Sequence, residues 1–207
     1  MNFCSDNTTA ASPEILAHLA RVNDGFAMPY GEDEVTSRLK AKLEAVFEKD
    51  LAVFPVATGT AANSLALATL ANPWDAIFCS PVAHIQEDEC NAPEFYTGGA
   101  KLTLVGEGDR MRPEALRAAI ANEETRGVHG PQRGPVSITQ ATEMGQTYTV
   151  AEITALSAVA REFGLPVHLD GARFSNAAVK LGVTPAEMSW KIGVDICVFG
   201  GTKNGLM

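Results

Sequence analysis

The chain has 207 residues, of which 46% are hydrophobic and 20% are charged, and its formal net charge is −9. This balance argues against a disordered chain, and the negative charge gives no support for a nucleic-acid partner or an anionic membrane surface. No stretch is long and apolar enough to cross a bilayer, and the N-terminus lacks a basic segment followed by an apolar run. The four cysteines form no C-x-x-C pair, so we expect reduced thiols and a cytoplasmic protein.

Helical and extended patterns alternate from the N-terminus. Ser12 and Pro13 predict the start of a helix that ends near Gly25, and apolar residues at helical spacing predict a second helix over 35–49. The stretch LAVFPVA (51–57) is predicted to be a strand. The turn TGT and the small-residue helix AANSLALATLA come after it.

The alternation continues through the second half of the chain. The predicted strands are 76–80, 101–105, 135–139, 166–170 and 194–200. The predicted helices are 113–122, a helix that opens with the capping box Thr149-Val-Ala-Glu152 and ends at Gly164, and a helix near 172–181. Residues 86–100 fit no regular element and are predicted to be a functional loop. Strands that alternate with helices predict a three-layer α/β/α fold with a mostly parallel sheet.

The turn Thr58-Gly59-Thr60 has the properties of a phosphate-binding site. Unpaired amides at the start of the following helix, two hydroxyls and a glycine that permits close approach all favour a bound phosphate. The sequence is neither G-x-G-x-x-G nor a Walker loop, so dinucleotides and nucleoside triphosphates gain no specific support. An ordinary strand-to-helix turn is the alternative interpretation.

The motif HLDGAR places an acid and an arginine at a strand end. Asp170 is predicted to project from the carboxyl edge of the sheet, with Arg173 one turn away. A carboxylate there can hold a protonated ring nitrogen, and an arginine can bind a carboxylate through two hydrogen bonds. The alternative is an Asp–Arg pair that caps the next helix. His168 shares a strand face with Asp170, but without an H-E-x-x-H motif we expect no metal.

Two further residues could carry chemistry after strands. His84 could stack on a planar ligand or move protons, although a surface histidine is the alternative. The acidic run 87–89 that follows it is predicted to be a solvated loop or helix start. Lys203 follows a Gly-Gly turn after the last strand, and a lysine amine that has lost its proton forms an imine with a carbonyl cofactor.

Together, a phosphate cradle, a ring stacker, an acid for a ring nitrogen and an imine-forming lysine are the parts of a pyridoxal phosphate site. They occur in chain order at successive predicted strand ends, which places them on one rim. The sequence resembles the threonine aldolase and β-eliminating lyase family of fold-type-I pyridoxal phosphate enzymes, most of all a bacterial low-specificity branch with the lysine motif G-G-T-K-N-G. The stretches that carry the resemblance are SDNTTAASPEI, YGEDEVTSRL, VFPVATGTAANSLAL, AHIQEDECNAPEFYTGGAKL, VSITQATEMGQTYT, HLDGARFSNAA and DICVFGGTKNG.

The resemblance implies a role for each matching residue. Lys203 would bind pyridoxal 5'-phosphate covalently, Asp170 would pair with its pyridinium nitrogen, and His84 would stack on its ring. The phosphate would be held by Thr58, Gly59 and Thr60. The substrate carboxylate or the phenolic oxygen of the cofactor would contact Arg173 and Ser5. The family's YGED segment, with Tyr30, would lie near the substrate site of a neighbouring subunit in a homodimer or homotetramer.

The implied activity is cleavage of the Cα–Cβ bond of threonine-like β-hydroxy-α-amino acids to glycine and an aldehyde. His84 is our first choice for the base, directly or through a water. Other family members carry a histidine in the motif E-N-T-H-N where this chain reads QATEM, so Glu143 replaces it and His129 is a weaker candidate. A β-eliminating lyase, a phenylserine aldolase, an aminotransferase and an inactive truncated remnant are the alternatives.

The resemblance also implies a domain division. Residues 1–25 would be an N-terminal helical segment, and 26–207 would be the major domain that binds pyridoxal phosphate. The family normally continues into a second, smaller domain that supplies another arginine. This chain ends before that domain, so we expect a truncated form that lacks full activity by itself.

Overall fold

The centre of the structure, a computed structural model that describes residues 4–206, is a five-stranded sheet. In chain order its strands are β1 Asp75–Cys79, β2 Lys101–Leu104, β3 Gln132–Thr139, β4 Val167–Gly171 and β5 Ile196–Phe199. The strand order is β2-β1-β3-β4-β5, and every neighbouring pair is parallel. The prediction of an α/β fold with a parallel sheet is therefore confirmed.

Helices connect these strands, and several begin at the residues that the sequence predicts. The α-helices are α1 Pro13–Val22, α2 Glu34–Phe47, α3 Gly59–Leu70, α4 His84–Glu87, α5 Ala92–Tyr96, α6 Pro113–Asn122, α7 Val150–Glu162 and α8 Phe174–Leu181. Short 3-10 turns are present at Gly127–His129, Trp190–Ile192 and Thr202–Asn204. The side chain of Ser12 caps α1, and Thr149 and Glu152 form the predicted capping box of α7.

Two predictions of local structure are wrong. The stretch 51–57 is not a strand, because no strand in the described residues pairs with it; Phe54 is 82% exposed and Pro55 has no amide hydrogen to donate. An apolar stretch forms a strand only where a neighbouring strand can pair with it. Residues 86–100 are not an irregular loop either, since they include the end of α4 and all of α5.

The sheet is covered on both faces. In β1, Ala76 and Phe78 belong to a large core with residues of α6 and α7, whereas Ile77 and Cys79 belong to a smaller core with Leu67 of α3. Side chains alternate between the two faces of a strand, so these cores lie on opposite sides of the sheet. The result is the predicted three-layer α/β/α arrangement. Burial raises the pKa of the Cys79 thiol to about 12, as expected for an unreactive core cysteine.

The strand order determines where a ligand can bind. The chain leaves β1 toward β2 and then returns to the other side of β1 to form β3. In open parallel sheets, ligands bind at the carboxyl edge where the direction of winding reverses. Two glycines at this edge allow close backbone packing: a Cβ at Gly171 would lie 2.3 Å from the carbonyl oxygen of Val198, and a Cβ at Gly200 would lie 2.7 Å from that of Ala172. The loops after β4 and β5 therefore lie against each other.

No helix in the described range 4–206 has both the length and the apolar character needed to cross a membrane. Within residues 4–206, Cys79, Cys90 and Cys197 form no disulfide.

Candidate functional site

Asp170 lies at the carboxyl end of β4 on the face of the sheet that α3 covers. Val167 and Leu169 belong to the large core on the other face, so alternation turns His168 and Asp170 toward α3. Asp170 is 2% exposed, and its carboxylate accepts two hydrogen bonds. Nδ2 of Asn63 donates to Oδ2 at 3.0 Å, and the amide of Ala172 donates to Oδ1 at 3.0 Å. A carboxylate has about four lone-pair sites, so Asp170 can accept a further hydrogen bond from a ligand.

His84 is the first residue of α4 and is connected to Asp170 through buried polar side chains. Its Nδ1 lies 2.8 Å from Oε1 of Glu89, and Nδ2 of Asn63 donates to the same oxygen at 2.7 Å. The hydrogen bond with Glu89 raises the pKa of His84, partial burial opposes the rise, and the charges of Glu89, Glu143 and Asp170 add to it. The His84 side chain is therefore partly buried, at 31% exposed, and is hydrogen-bonded to Glu89.

A second group of charges surrounds Arg173. Its Nε and Nη2 donate to the two carboxylate oxygens of Asp6 at 2.6 and 3.2 Å, and its Nη1 lies 3.7 Å from Oε2 of Glu143. Nζ of Lys203 lies 4.0 Å from Oδ1 of Asp6, and the Lys203 side chain is 17% exposed. Hydrogen bonding to Arg173 lowers the pKa of Asp6, so this carboxylate is ionised at neutral pH.

The start of α3 presents backbone amides toward open space. The Thr58 side chain accepts from the amide of Ala61, and the amide of Ala62 donates to the Thr58 carbonyl, which leaves the amides of Gly59 and Thr60 for a ligand. A Cβ added to Gly59 would meet no atom of the described residues within 4 Å, so the space in front of the helix is open. The helix dipole favours an anion at this position.

Not every predicted residue joins these groups. Ser5 is exposed and lies next to Asp6 in the chain, whereas Tyr30 is 99% exposed. His129 precedes the amino end of β3, so within one copy of the chain it lies at the edge of the sheet opposite to Asp170. His129 is close to the QATEM motif in the sequence, but all of β3 lies between them, so the two are at opposite edges of the sheet.

Three residues of the site were missed in the sequence: Asp6, Asn63 and Glu89. Asn63 and Glu89 are 1% and 3% exposed, so the prediction that the whole run 87–89 is solvated is wrong for Glu89. One signal could have revealed Asn63, because it lies one turn after the TGT motif on a helix that is otherwise made of small and apolar residues. A polar side chain in that setting points to a buried partner.

His168 is a buried polar residue beside this site. It is fully buried, its Nδ1 lies 2.9 Å from Oγ of Ser137, and its Nε2 has no hydrogen-bond partner among the described residues. Burial lowers the pKa of His168, although the charges of Asp170 and Glu89 oppose the change. The imidazole is therefore neutral at neutral pH. In the described residues no group of three or more histidine, cysteine and acidic side chains is arranged to hold a metal ion.

We expect this histidine to make the fold sensitive to acid. Below the unfolded-state pKa of about 6.5 the unfolded chain binds a proton that buried His168 does not, so the free energy of unfolding falls by at most about 1.4 kcal/mol per pH unit from this residue. Denaturant unfolding at pH 7 and at pH 5.5 should show a smaller loss for H168Q than for the wild type. H18Q, which removes an exposed histidine, is the control. Equal losses in H168Q and the wild type would contradict this expectation.

Comparison with known proteins identifies the chain. A family profile described as beta-eliminating lyase matches residues 2–207. The chain belongs to the β-eliminating lyase family. Low specificity L-threonine aldolases from Pseudomonas sp. (strain NCIMB 10558) and Pseudomonas aeruginosa are each 45% identical over 205 residues, which cover 99% of this chain and 59% of each relative. A threonine aldolase structure from Leishmania major has 28% identity and a TM-score of 0.88, with 96% of this chain and 58% of that chain covered.

These matches confirm the resemblance expected from the sequence. They also show that this β-eliminating lyase family chain spans less than two thirds of the length of the relatives it matches. The fold-type-I assignment is supported by the same structural neighbour.

The site of this β-eliminating lyase family member fits pyridoxal phosphate. The open helix start with two free amides suits the phosphate group, and Asp170 retains acceptor capacity for a protonated ring nitrogen. Lys203 supplies an amine at the adjacent strand end, since Asp170 of β4 is in register with Val198 of β5. The donor set therefore matches the phosphate, ring and aldehyde of this cofactor.

Proposed function

We propose that the chain is the cofactor-binding part of a pyridoxal-phosphate-dependent lyase that cleaves threonine-like β-hydroxy-α-amino acids to glycine and an aldehyde. The observation that carries this proposal is the convergence of four features on one edge of the sheet. These are the open start of α3, the Asp170 carboxylate, the His84 imidazole, and the adjacent cations Arg173 and Lys203. The 45% identity to two proteins named as low specificity L-threonine aldolases supports the reaction type.

Different residues of the chain would hold different parts of the cofactor. When bound, pyridoxal phosphate supplies an aldehyde that condenses with amines and a protonated ring that accepts electrons from the substrate Cα. Lys203 is the residue that would hold the aldehyde carbon. Asp170 would keep the ring nitrogen protonated, because an ionised carboxylate stabilises the charged form. Thr58, Gly59 and Thr60 would hold the phosphate at the helix start.

Arg173 and His84 would act on the substrate. A guanidinium binds a carboxylate with two parallel hydrogen bonds, and the contact of Arg173 with Asp6 has this form. The substrate carboxylate is the same kind of group, so Arg173 would bind it and orient the amino acid. That orientation would select which Cα bond breaks. His84 would take the proton from the β-hydroxyl, directly or through a water, which allows the Cα–Cβ bond to break.

Substitution of Arg173 tests its role in substrate binding. R173K keeps a positive charge but loses the planar fork, so we expect KM for the amino acid to rise by about 10–100-fold, equivalent to about 1.5–3 kcal/mol for a charged hydrogen bond. The matched control is R117K, because Arg117 makes the same two-bond contact with Glu162 on the surface at 2.9 and 2.7 Å. Steady-state kinetics with threonine give KM and kcat separately. An unchanged KM in R173K would show that another group binds the carboxylate.

The reaction type is tested by product analysis. The full-length protein is incubated with pyridoxal phosphate and either threonine or phenylserine, and glycine and aldehyde are measured. Equal amounts of glycine and aldehyde support aldol cleavage. Release of a keto acid or ammonia instead would favour a β-eliminating lyase or an aminotransferase, and no turnover with any substrate would favour an inactive remnant.

Four further features belong to the same proposal: the assembly, the compartment, the position of Tyr30 and the domain division. The protein would be a homodimer or homotetramer in the cytoplasm, as symmetric assemblies are common, and Tyr30 would lie at the neighbouring subunit's site. Its almost fully exposed ring supports this position. Residues 26–207 would be the major domain, with 1–25 as an N-terminal helical segment.

A further inference from the structure

Glu89 is the buried member of the acidic run 87–89 and lies in the turn between α4 and α5. Its side chain is 0% exposed, whereas Glu87 and Asp88 are both exposed. A buried carboxylate is costly unless hydrogen bonds and a cation compensate for the lost water. Nδ1 of His84 lies 2.8 Å from Oε1 of Glu89, and the Asn63 amide donates to the same oxygen. The fold therefore places a negative charge in the interior, directly behind His84.

The hydrogen bonds continue from Glu89 to the sheet. Nδ2 of Asn63 donates to Oε1 of Glu89 at 2.7 Å and to Oδ2 of Asp170 at 3.0 Å, so the two amide hydrogens of Asn63 serve the two carboxylates. The imidazole of His84 and the carboxylate of Asp170 are thereby joined through three hydrogen bonds. These residues come from α4, the following turn, α3 and β4, so packing of separate elements sets the position of the ring.

We propose that Glu89 is a positioning residue that fixes the tautomer and orientation of the His84 ring and, through Asn63, ties this ring to Asp170. The inference rests on the proposed function of His84 as the base. An ionised carboxylate only accepts hydrogen bonds, so Nδ1 of His84 keeps its hydrogen and the neutral ring carries its lone pair on Nε2. Nε2 is then the atom that takes the β-hydroxyl proton, and the negative charge of Glu89 stabilises the imidazolium that forms.

The charges around His84 determine how removal of the Glu89 charge should change the pH dependence of activity. Glu89 from the turn after α4, Glu143 from the loop after β3 and Asp170 from β4 all raise the pKa of His84, and the hydrogen bond with Glu89 is the largest cause. A base acts only when it is unprotonated, so activity should rise with pH as His84 loses its proton, at a higher pH than for a free imidazole. Removal of the Glu89 charge lowers this pKa and moves the rise to lower pH.

The test is E89Q in the full-length holoenzyme, with E87Q as the control that removes a charge from an exposed neighbour. Glutamine has the same shape, so the packing would be preserved, but it is uncharged and its amide can donate as well as accept, so it no longer excludes the other tautomer of His84. We expect E89Q to lower kcat by at least about tenfold, as part of the 10²–10⁴-fold effect of a general base. KM should change by less than about twofold, and the acid limb of the kcat profile should move to lower pH. Wild-type kcat and an unmoved limb in E89Q would overturn the proposal.

Nitrogen NMR of the histidine rings gives a second measurement that does not depend on turnover. The chain has four histidines, so comparison with H84Q assigns the His84 signals. In the wild type at high pH we expect the hydrogen on Nδ1, and in E89Q a lower ring pKa. A wild-type ring with its hydrogen on Nε2 would overturn the proposal even if E89Q does not fold. If the ring behaves as expected but threonine is not cleaved, the proposed function fails and the positioning role of Glu89 remains.

Discussion

Replacement of Lys203 with alanine is expected to abolish covalent binding of pyridoxal phosphate and to lower kcat by at least about 10³-fold, as for other residues that form the covalent link. The amine lies at the end of β5, is 17% exposed and has Asp6 at 4.0 Å. K203R separates the two properties of this residue. Arginine keeps a positive charge near Asp6 but does not form the link, so K203R should be as inactive as K203A.

The measurement is mass spectrometry after borohydride reduction of the holoenzyme, combined with kcat. In the wild type the cofactor mass should be found on the peptide that contains Lys203, and the visible absorption should bleach. K180A, which changes an exposed lysine in the last turn of α8, should retain both properties. Cofactor mass on a different lysine, or a K203A variant that turns over at the wild-type rate, would remove the basis of the enzyme assignment.

Replacement of Asp170 with asparagine is expected to lower kcat by about 10²–10³-fold, the range seen when a preorganised electrostatic group is removed. The neutral amide has nearly the same shape but cannot keep a ring nitrogen protonated. Asparagine also has only one acceptor oxygen, so it loses the hydrogen bond from either Asn63 or Ala172. We expect the free energy of unfolding to fall by about 1–3 kcal/mol for this unsatisfied buried group.

These two effects of D170N are measured separately. Denaturant unfolding without cofactor gives the structural cost, and kcat at saturating cofactor and substrate gives the chemical cost. D50N is the control, because Asp50 is an exposed acid paired with Lys40. A stable D170N variant with wild-type kcat would show that the carboxylate has no role in the electronics of the cofactor.

Local patterns were sufficient to predict most of the architecture. Helix starts depend on neighbouring residues alone, which is why the cap at Ser12 and the capping box at Thr149 and Glu152 were predicted correctly. The positions of Asp170 and Lys203 follow from a general property of parallel sheets, since the carboxyl ends of adjacent strands lie at the same edge. The prediction of a strand over 51–57 was wrong, because the presence of a partner strand depends on the whole fold.

The sequence by itself determined the alternation of strands and helices and the set of residue types that meet at the carboxyl edge. Only the tertiary structure decided which of three consecutive acids points inward. Glu87 and Asp88 are exposed while Glu89 is hydrogen-bonded to His84, because the end of α4 and the turn before α5 set the direction of each side chain. Tertiary structure also brought Asn63 against Asp170, 107 positions further along the chain. Burial and long-range hydrogen bonding depend on elements that pack together from distant parts of the chain, and no local pattern of residues encodes that packing.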